Sequence, residues 1–457
     1  MKNMTIDNIL MAVDGTIAAG GAQIPQGEAA DVVIDSRKVG PGSIFIALKG
    51  EKTDGHLYIG SAFEKGAMAV ICEEVPENAG GLCIQVKDSL EALRKLASFY
   101  RQQLPVKTIG VTGSVGKTST KEMIASVLSQ HYRVHKTEGN FNNVIGLPLT
   151  VFGIRETDEI AVLEMGIEDF GEMHRLSEIA RPDIVVMTVI GRSHLEHLGD
   201  LDGVLRAKSE IFDFMNPKGT VFVNGDDPKL ATIVDVHGTA PVHFGLSPCD
   251  DVWADHIEIG EEGSTAVIHP DRNTSFKVEI HIPGEHSVRN AAAAAAVGVF
   301  LGLSTEEIQA GIAQARTIAG RNNVIRTDSL TIIDDCYNAN PNSMEASIGV
   351  LRNRKSRRVA VLGDMLELGP DEKQLHYDTG VYAGKAGIDR IICVGPLARS
   401  LYEGAVSTGA KADYFADKEA LKDGLGRILQ KGDTVLVKAS HGMGLAEIVA
   451  MLQEMKL

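Results

Sequence analysis

TIGVTGSVGKTST (residues 108–120) runs from a β-branched stretch (106–112) through a glycine-spaced turn into a helix expected to start at Lys117. Glycine lets the backbone turn its N–H groups inward, and a helix start adds unpaired donors and the positive end of the dipole. Lys117 is placed to reach outer phosphates, and Thr118 to offer its hydroxyl to Mg²⁺. The general P-loop pattern has glycine five residues before Gly116, where this chain has Val111; its glycines fall at 110, 113 and 116. A GKT tripeptide alone is common. A strand before it and a helix after it make Gly113, Ser114, Val115, Gly116, Lys117, Thr118 and Ser119 a nucleotide cradle rather than a plain strand–turn–helix.

Working outward, 457 residues are too many for one core. A chain with 44% hydrophobic and 23% charged residues is an ordinary globular protein. Its net charge of −16 argues against a nucleic-acid partner, whose binding rests on neutralised phosphates. The basic run RNRKSRR (352–358) is the local exception, and a solvated helix end before a strand explains it. Five scattered cysteines (72, 83, 249, 336, 393) without a CxxC fit a reducing compartment. With no run of eighteen apolar residues and no signal-like N-terminus, the expectation is a cytoplasmic protein without stable membrane insertion.

The pattern of elements predicts an α/β protein of three units. Residues 1–104 hold short strands (VVIDS, SIFIAL, MAVICE, CIQV) and a helix over 89–101, a small mixed α/β unit whose end at 102–105 reads as a hinge. In residues 105–318, strands at 160–164, 184–190 and 220–224 alternate with amphipathic stretches, which implies a mostly parallel sheet. An antiparallel excursion is expected over 253–282, then a helix through the alanine run 291–296. Residues 319–457, with strands near 330–334, 359–363, 390–395 and 434–438, suggest a Rossmann-like doubly wound unit.

Open α/β sheets place ligands at strand ends. Glu164 ends the strand IAVLE; it is either a hard ligand for Mg²⁺ or an exposed strand end. His194, in GRSHLEHLGD, forms half a zinc-like pair with His197, but no third ligand follows, so a magnesium-shell or solvent-facing histidine is expected. Lys208 lies on an amphipathic helix whose apolar side carries Leu205, Ile211, Phe212 and Met215, and a helix lysine is usually solvated. In DDCYNANP (334–341), Asn340 and Pro341 read as a helix cap, which leaves the two aspartates and Tyr337 to face a ligand. KASHG (438–442) follows the last strand and is expected to open the final helix, an anion-friendly start.

Taken together these stretches resemble the Mur ligases, ATP-dependent amide-forming enzymes of cell-wall precursor synthesis. The displaced-glycine loop, GNFNNVIGLP (139–148), LEMG (163–166), SHLEHLGD with RAKSEIF, NGDDP (224–228), GEHSVRNAAAA (284–294), DDCYNANP and LGDMLELG (362–369) all carry the resemblance, which spans the chain. YNANP with LGDMLELG points to the member that joins D-alanyl-D-alanine to UDP-N-acetylmuramoyl-tripeptide through an acyl phosphate. The resemblance implies that residues 1–104 bind the UDP-muramoyl-peptide, 105–318 bind ATP, and 319–457 close over the nucleotide and bind the dipeptide. It implies two Mg²⁺ ions, one with Thr118 and Glu164 and one with His194 and Lys208, the lysine as a carbamate. Lys117, Lys208 and His194 would be catalytic; Asn290, Arg321 and Asp335 would meet the nucleotide. Ser36 and Arg37 would serve the uridine-diphosphate end, and Asn142, Asn143, Tyr337, Asn338 and Ser440 the remaining substrate. A monomer is expected. Where the family often has Lys-small-Ser-Arg, this chain has Lys438-Ala439-Ser440-His441, and histidine is a weaker, pH-dependent anion partner. A folylpolyglutamate-type ligase and a P-loop nucleotide switch are the competing readings; the first leaves the N-terminal unit without a role, the second leaves Lys208 and DDCYNANP without one.

Overall fold

The computed structural model describes residues 1–20, 24–50 and 53–457. Three sheets follow one another along the chain. In the first, Asp31–Val33, Ser43–Ile46, Ala69–Cys72 and Cys83–Gln85 run parallel, and Thr16–Ala19 adds an antiparallel edge. Ser43–Ile46 and Ala69–Cys72 are buried at every position, as expected for strands covered on both faces.

The helix Ser89–Gln102 starts with Asp88 accepting from Glu91 N, a side-chain cap for an orphan donor. Its apolar face merges the first sheet into the core of the second: Leu93, Leu96 and Tyr100 share one cluster with Ile44, Ile71, Leu147 and Phe152. Tyr100 Oη donates to Ile154 O at 2.7 Å, and the buried Arg101 donates to Ala180 O, Leu104 O, Val106 O and Thr108 Oγ1. The expected hinge at 102–105 is therefore pinned from both sides. A buried guanidinium whose donors are spent on carbonyls of both units leaves little freedom there.

The second sheet has nine strands. Val134–Lys136, Ile160–Glu164, Lys107–Thr112, Ile184–Met187, Thr220–Asn224, Val242–Gly245 and Val252–Ile259 lie side by side and parallel, followed by antiparallel Ser264–His269 and Phe276–Ile280. The order reverses at Lys107–Thr112, which lies between Ile160–Glu164 and Ile184–Met187. A reversal of this kind opens a crevice at the carboxyl ends. The alanine run forms part of the helix Glu285–Phe300, buried against Met123, Ile124 and Val127 of the helix Lys117–Leu128.

The third sheet orders Asn323–Arg326, Thr331–Asp334, Thr434–Lys438, Arg358–Gly363, Arg390–Val394 and Ala412–Phe415, all parallel except the first. Its two edge strands carry no fully buried residue, so no apolar run announced them in the sequence. Two local expectations change. The last helix is Ala446–Glu454; residues 441–443 form only a short 3-10 turn, so KASHG does not open it. The basic run does lie between a helix end, at Arg352, and the strand Arg358–Gly363, but it is only partly solvated. Arg354 is buried, Arg357 pairs with Asp433 and Arg358 with Asp389, while Glu261 and Glu262 of the second unit reach Lys355 N and the guanidinium of Arg354. Among the described residues, no helix is long and apolar enough to cross a membrane.

Candidate active site

A cleft of about 1060 Å³ lies between the carboxyl ends of the second sheet and the third unit. Its floor is the glycine-spaced turn. Ser114 N donates to Val189 O (2.7 Å), Ser114 Oγ to Gly191 O (3.1 Å) and Thr188 Oγ1 to Val115 O (2.6 Å), so the loop is fastened to the segment after Ile184–Met187. Gly113 has φ of 149°, and a Cβ there would sit 2.0 Å from Thr188 Oγ1. Only glycine permits both that backbone and that approach. Gly116, at φ 84°, is the N-cap of the helix Lys117–Leu128.

Lys117 Nζ donates to Gly113 O at 2.7 Å. Burial, with Arg321 adding to it against Glu164, lowers its ammonium to about 8. Glu164 is fully buried. Its Oε1 accepts from Thr118 Oγ1 (3.0 Å) and Asn142 Nδ2 (2.8 Å), whereas Oε2 is buried without a hydrogen-bond partner. An orphaned carboxylate oxygen beside a threonine hydroxyl is a donor set that suits a hard cation such as Mg²⁺.

Lys208 is 1% exposed, contrary to the solvated reading of a helix lysine. Burial first, then the neighbouring Lys117, lowers its ammonium well below the ordinary lysine range. The free amine is thereby favoured, and that is the form able to take up CO₂. His194 adopts left-handed backbone (φ 54°) and sets Nδ1 2.7 Å from Glu367 Oε2. Burial, then Lys117 and Lys208, holds the ring to about 4. The neutral ring donates from Nδ1 to the carboxylate, which leaves the Nε2 lone pair as the one able to ligate. Among the described residues, no three His, Cys, Asp or Glu side chains converge as a ready ion site. His194 and Lys208 fit a second cation only if the lysine carries an anionic carbamate.

The facing wall comes from the third unit. Asp335 accepts from Asn322 N (3.0 Å), Lys438 Nζ (2.6 Å) and Ser347 Oγ; Lys438 Nζ also reaches Asn338 O at 3.1 Å. The Arg321 guanidinium lies 3.8 Å from the Tyr337 ring centre, and Tyr337 leans on His441 at 5.7 Å. Ser440 Oγ accepts from Leu366 N (2.9 Å) and donates to Ala339 O (3.4 Å). Asn290 Oδ1 accepts from Thr120 Oγ1 at 3.0 Å, and its Nδ2 is buried without a partner. Asn142 lies against Glu164, and Asn143 Oδ1 accepts from Ile145 N and Gly146 N at the start of the helix Gly146–Gly153.

Ser119, Asn142, Asn143, Asn290, Arg321, Asp335, Tyr337, Asn338 and Ser440 thus line the same cleft as Lys117, Thr118 and His194. Ser36 and Arg37 do not. Arg37 is 87% exposed and clamps Asp35 within its own loop, and its guanidinium, as the hydrogen-bond partner, holds that carboxyl down to about 2. Among the lining residues with no role assigned from sequence are Glu367, within LGDMLELG, and His286, within GEHSVRN.

Three stretches match family profiles: residues 28–101 the one described as Mur ligase family, catalytic domain, 111–298 the Mur ligase middle domain, and 320–441 the Mur ligase, glutamate ligase domain. The chain is 41% identical to the UDP-N-acetylmuramoyl-tripeptide--D-alanyl-D-alanine ligase of Bacillus subtilis (strain 168), with all of both chains covered. It is 36% identical to the Escherichia coli (strain K12) protein of the same name, over 93% of each. Among solved structures it is similar to MurF from Acinetobacter baumannii (34% identity, TM-score 0.90, 99% of each chain). It is also similar to MurF ligase from Thermotoga maritima in complex with ADP (29% identity, TM-score 0.81, 93% of this chain and 97% of that one). With a catalytic-loop geometry, a three-sheet architecture and full-length relatives in agreement, the chain belongs to the Mur ligase family.

Proposed function

We propose that the protein is an ATP-dependent ligase that joins D-alanyl-D-alanine to UDP-N-acetylmuramoyl-tripeptide, releasing ADP and phosphate. The observation that carries the chemistry is the buried Glu164, which has one oxygen unpartnered and the other accepting from Thr118, a residue that lines the same cleft as Lys117. The acceptor follows from full-length relatives at 36–41% identity that bear that name. In this reading residues 1–104 hold the UDP-muramoyl end, 105–318 the ATP, and 319–457 the dipeptide. The protein acts as a monomer in the cytoplasm, where its five free thiols would stay reduced.

The terminal carboxylate of the tripeptide attacks the γ-phosphate, giving an acyl phosphate and ADP. The dipeptide amine then attacks the acyl carbon and phosphate leaves. The first step brings two anions together. Lys117 meets the transferring phosphoryl group, with residues 113–119 cradling the chain of phosphates by their N–H groups. Glu164 and Thr118 would hold one Mg²⁺, and His194 with a carbamylated Lys208 would hold a second; such ions would supply positive charge where negative charge develops. Asn290 receives the base, while Arg321 and Asp335 meet the nucleotide from the third unit. Asn142 and Asn143 lie by the muramoyl-peptide; Tyr337, Asn338 and Ser440 position the dipeptide. A cleft closed between units excludes water that would hydrolyse the acyl phosphate.

The test is a ligation assay with ATP, Mg²⁺, either the lysine- or the diaminopimelate-containing tripeptide precursor, and D-alanyl-D-alanine, read by mass. Product with the dipeptide and none with glutamate is expected. Glutamate addition, or ATP hydrolysis indifferent to any amine, would overturn the reading.

A further inference from the structure

We propose that Glu367 is a positioning residue: from the third unit it fixes the His194 ring of the second unit so that Nε2 faces the cleft, which makes the second cation position depend on docking of the two units. The inference rests on the functional reading above. A carboxylate only accepts, so the 2.7 Å contact places the proton on Nδ1 and leaves Nε2 as the lone-pair nitrogen. Oriented imidazole ligands in metal sites owe their tautomer to such a partner.

Three further observations separate this contact from a chance surface pair. Both residues have left-handed backbone, His194 at φ 54° and Glu367 at φ 63°. Side-chain-bearing residues hold that conformation only where surrounding structure enforces it, and such sites concentrate at functional positions. The segments that carry them are docked by backbone and core: Glu196 N donates to Glu367 O at 3.4 Å, and Leu195 packs into the apolar core of the third unit. The Glu367 loop is itself fixed just upstream, where Met365 N donates to His376 Nε2 (2.9 Å) and Leu366 N to Ser440 Oγ (2.9 Å). Glu367 is thus presented to His194 by a rigid loop.

Two substitutions test the idea. Glu367→Gln keeps an oxygen that can accept from Nδ1. Glu367→Gly removes the acceptor and relieves the left-handed strain, so the folded protein should melt no lower than wild type. Mn²⁺ binding is followed by electron paramagnetic resonance on the full chain with ADP, in bicarbonate buffer. Wild type is expected to take two ions. Glu367→Gln should keep both, whereas Glu367→Gly should weaken the second by about 10–100-fold and spare the first. Adding His194→Ala to Glu367→Gly should cause little further loss. Wild-type affinity for the second ion in Glu367→Gly, a loss spread over both ions together with a lower melting temperature, or a single ion in wild type would overturn the proposal. Wild-type ligation measured in parallel tests the functional reading separately, because the ion count does not require turnover.

Discussion

Glu164→Gln isolates the carboxylate charge. The side chain keeps its shape, and its remaining oxygen can still accept from Thr118 Oγ1 and Asn142 Nδ2, the bonds at 3.0 and 2.8 Å. What changes is Oε2, the buried atom with no partner, which becomes an amide nitrogen equally without one. Exchanging one unsatisfied buried group for another, while removing a buried charge, should leave the metal-free fold within about 1 kcal/mol of wild type. The cation-dependent part should vanish instead. If Mg²⁺ tightens ADP binding about tenfold, that is about 1.4 kcal/mol. For a unit the size of the second one, this corresponds to a rise in melting temperature of about 3–6 °C. The assay is thermal melting of both proteins with ADP alone and with ADP plus Mg²⁺. Wild type should show the increment and Glu164→Gln should lose it, with matching melts when no ligand is added. An undiminished Mg²⁺ increment in the variant would refute the assignment of the orphaned oxygen to the ion.

Other outcomes follow from the same geometry. Lys117→Ala removes a half-buried cation at the cleft wall that no carboxylate contacts directly, so the fold should hold while ligation falls by about 10³-fold or more; near-normal amide formation would reject the phosphate role. Gly113→Ala forces a Cβ to within 2.0 Å of Thr188 Oγ1 and should abolish the Thr188–Val115 bond, seen as lost nucleotide-dependent stabilisation in calorimetry. His376 is fully buried, accepts from Met365 N and donates to Glu372 O, and burial holds its pKa below the ordinary value. Its folded pKa is depressed, so the unfolded chain binds the proton first. Its share of stability should be complete above about pH 6.5 and be lost as pH falls toward the folded value, a slope that His376→Gln should flatten in pH-dependent melts. Arg354 is buried with Nε and Nη2 unpartnered and only Nη1 near a carboxylate, that of the exposed Glu262 at 3.7 Å, so Arg354→Met should be neutral or stabilising by about 1–4 kcal/mol in chemical denaturation; a loss of that size would show the Glu262 pairing to outweigh the burial of the charge.

The loop and its flanking strands were legible because their signals are local: glycines at fixed offsets, a β-branched run before and a helix start after. The contacts between distant segments were not, since His194 and Glu367 are 173 residues apart and Asp335 and Lys438 are 103 apart. No spacing rule joins a carboxylate in one turn to an imidazole in another. Ser36 and Arg37 are assigned to the uridine-diphosphate end by the resemblance alone; they do not line the cleft, and Arg37 pairs with Asp35 in its own loop. Lys208 is the instructive case. A lysine on an amphipathic helix is ordinarily solvated, but the buried residues of Leu201–Ser209 are Gly203, Val204, Ala207 and Lys208. With Ile211 next, Val204, Ala207, Lys208 and Ile211 recur at the i, i+3, i+4, i+7 positions of one helical face. The lysine therefore stands where periodicity demands an apolar side chain. Burying an ammonium without a paired carboxylate costs too much to persist unless the group is neutral or chemically altered. That conflict between residue type and helical position lies in the sequence itself, and it favours a neutral or chemically altered amine at Lys208.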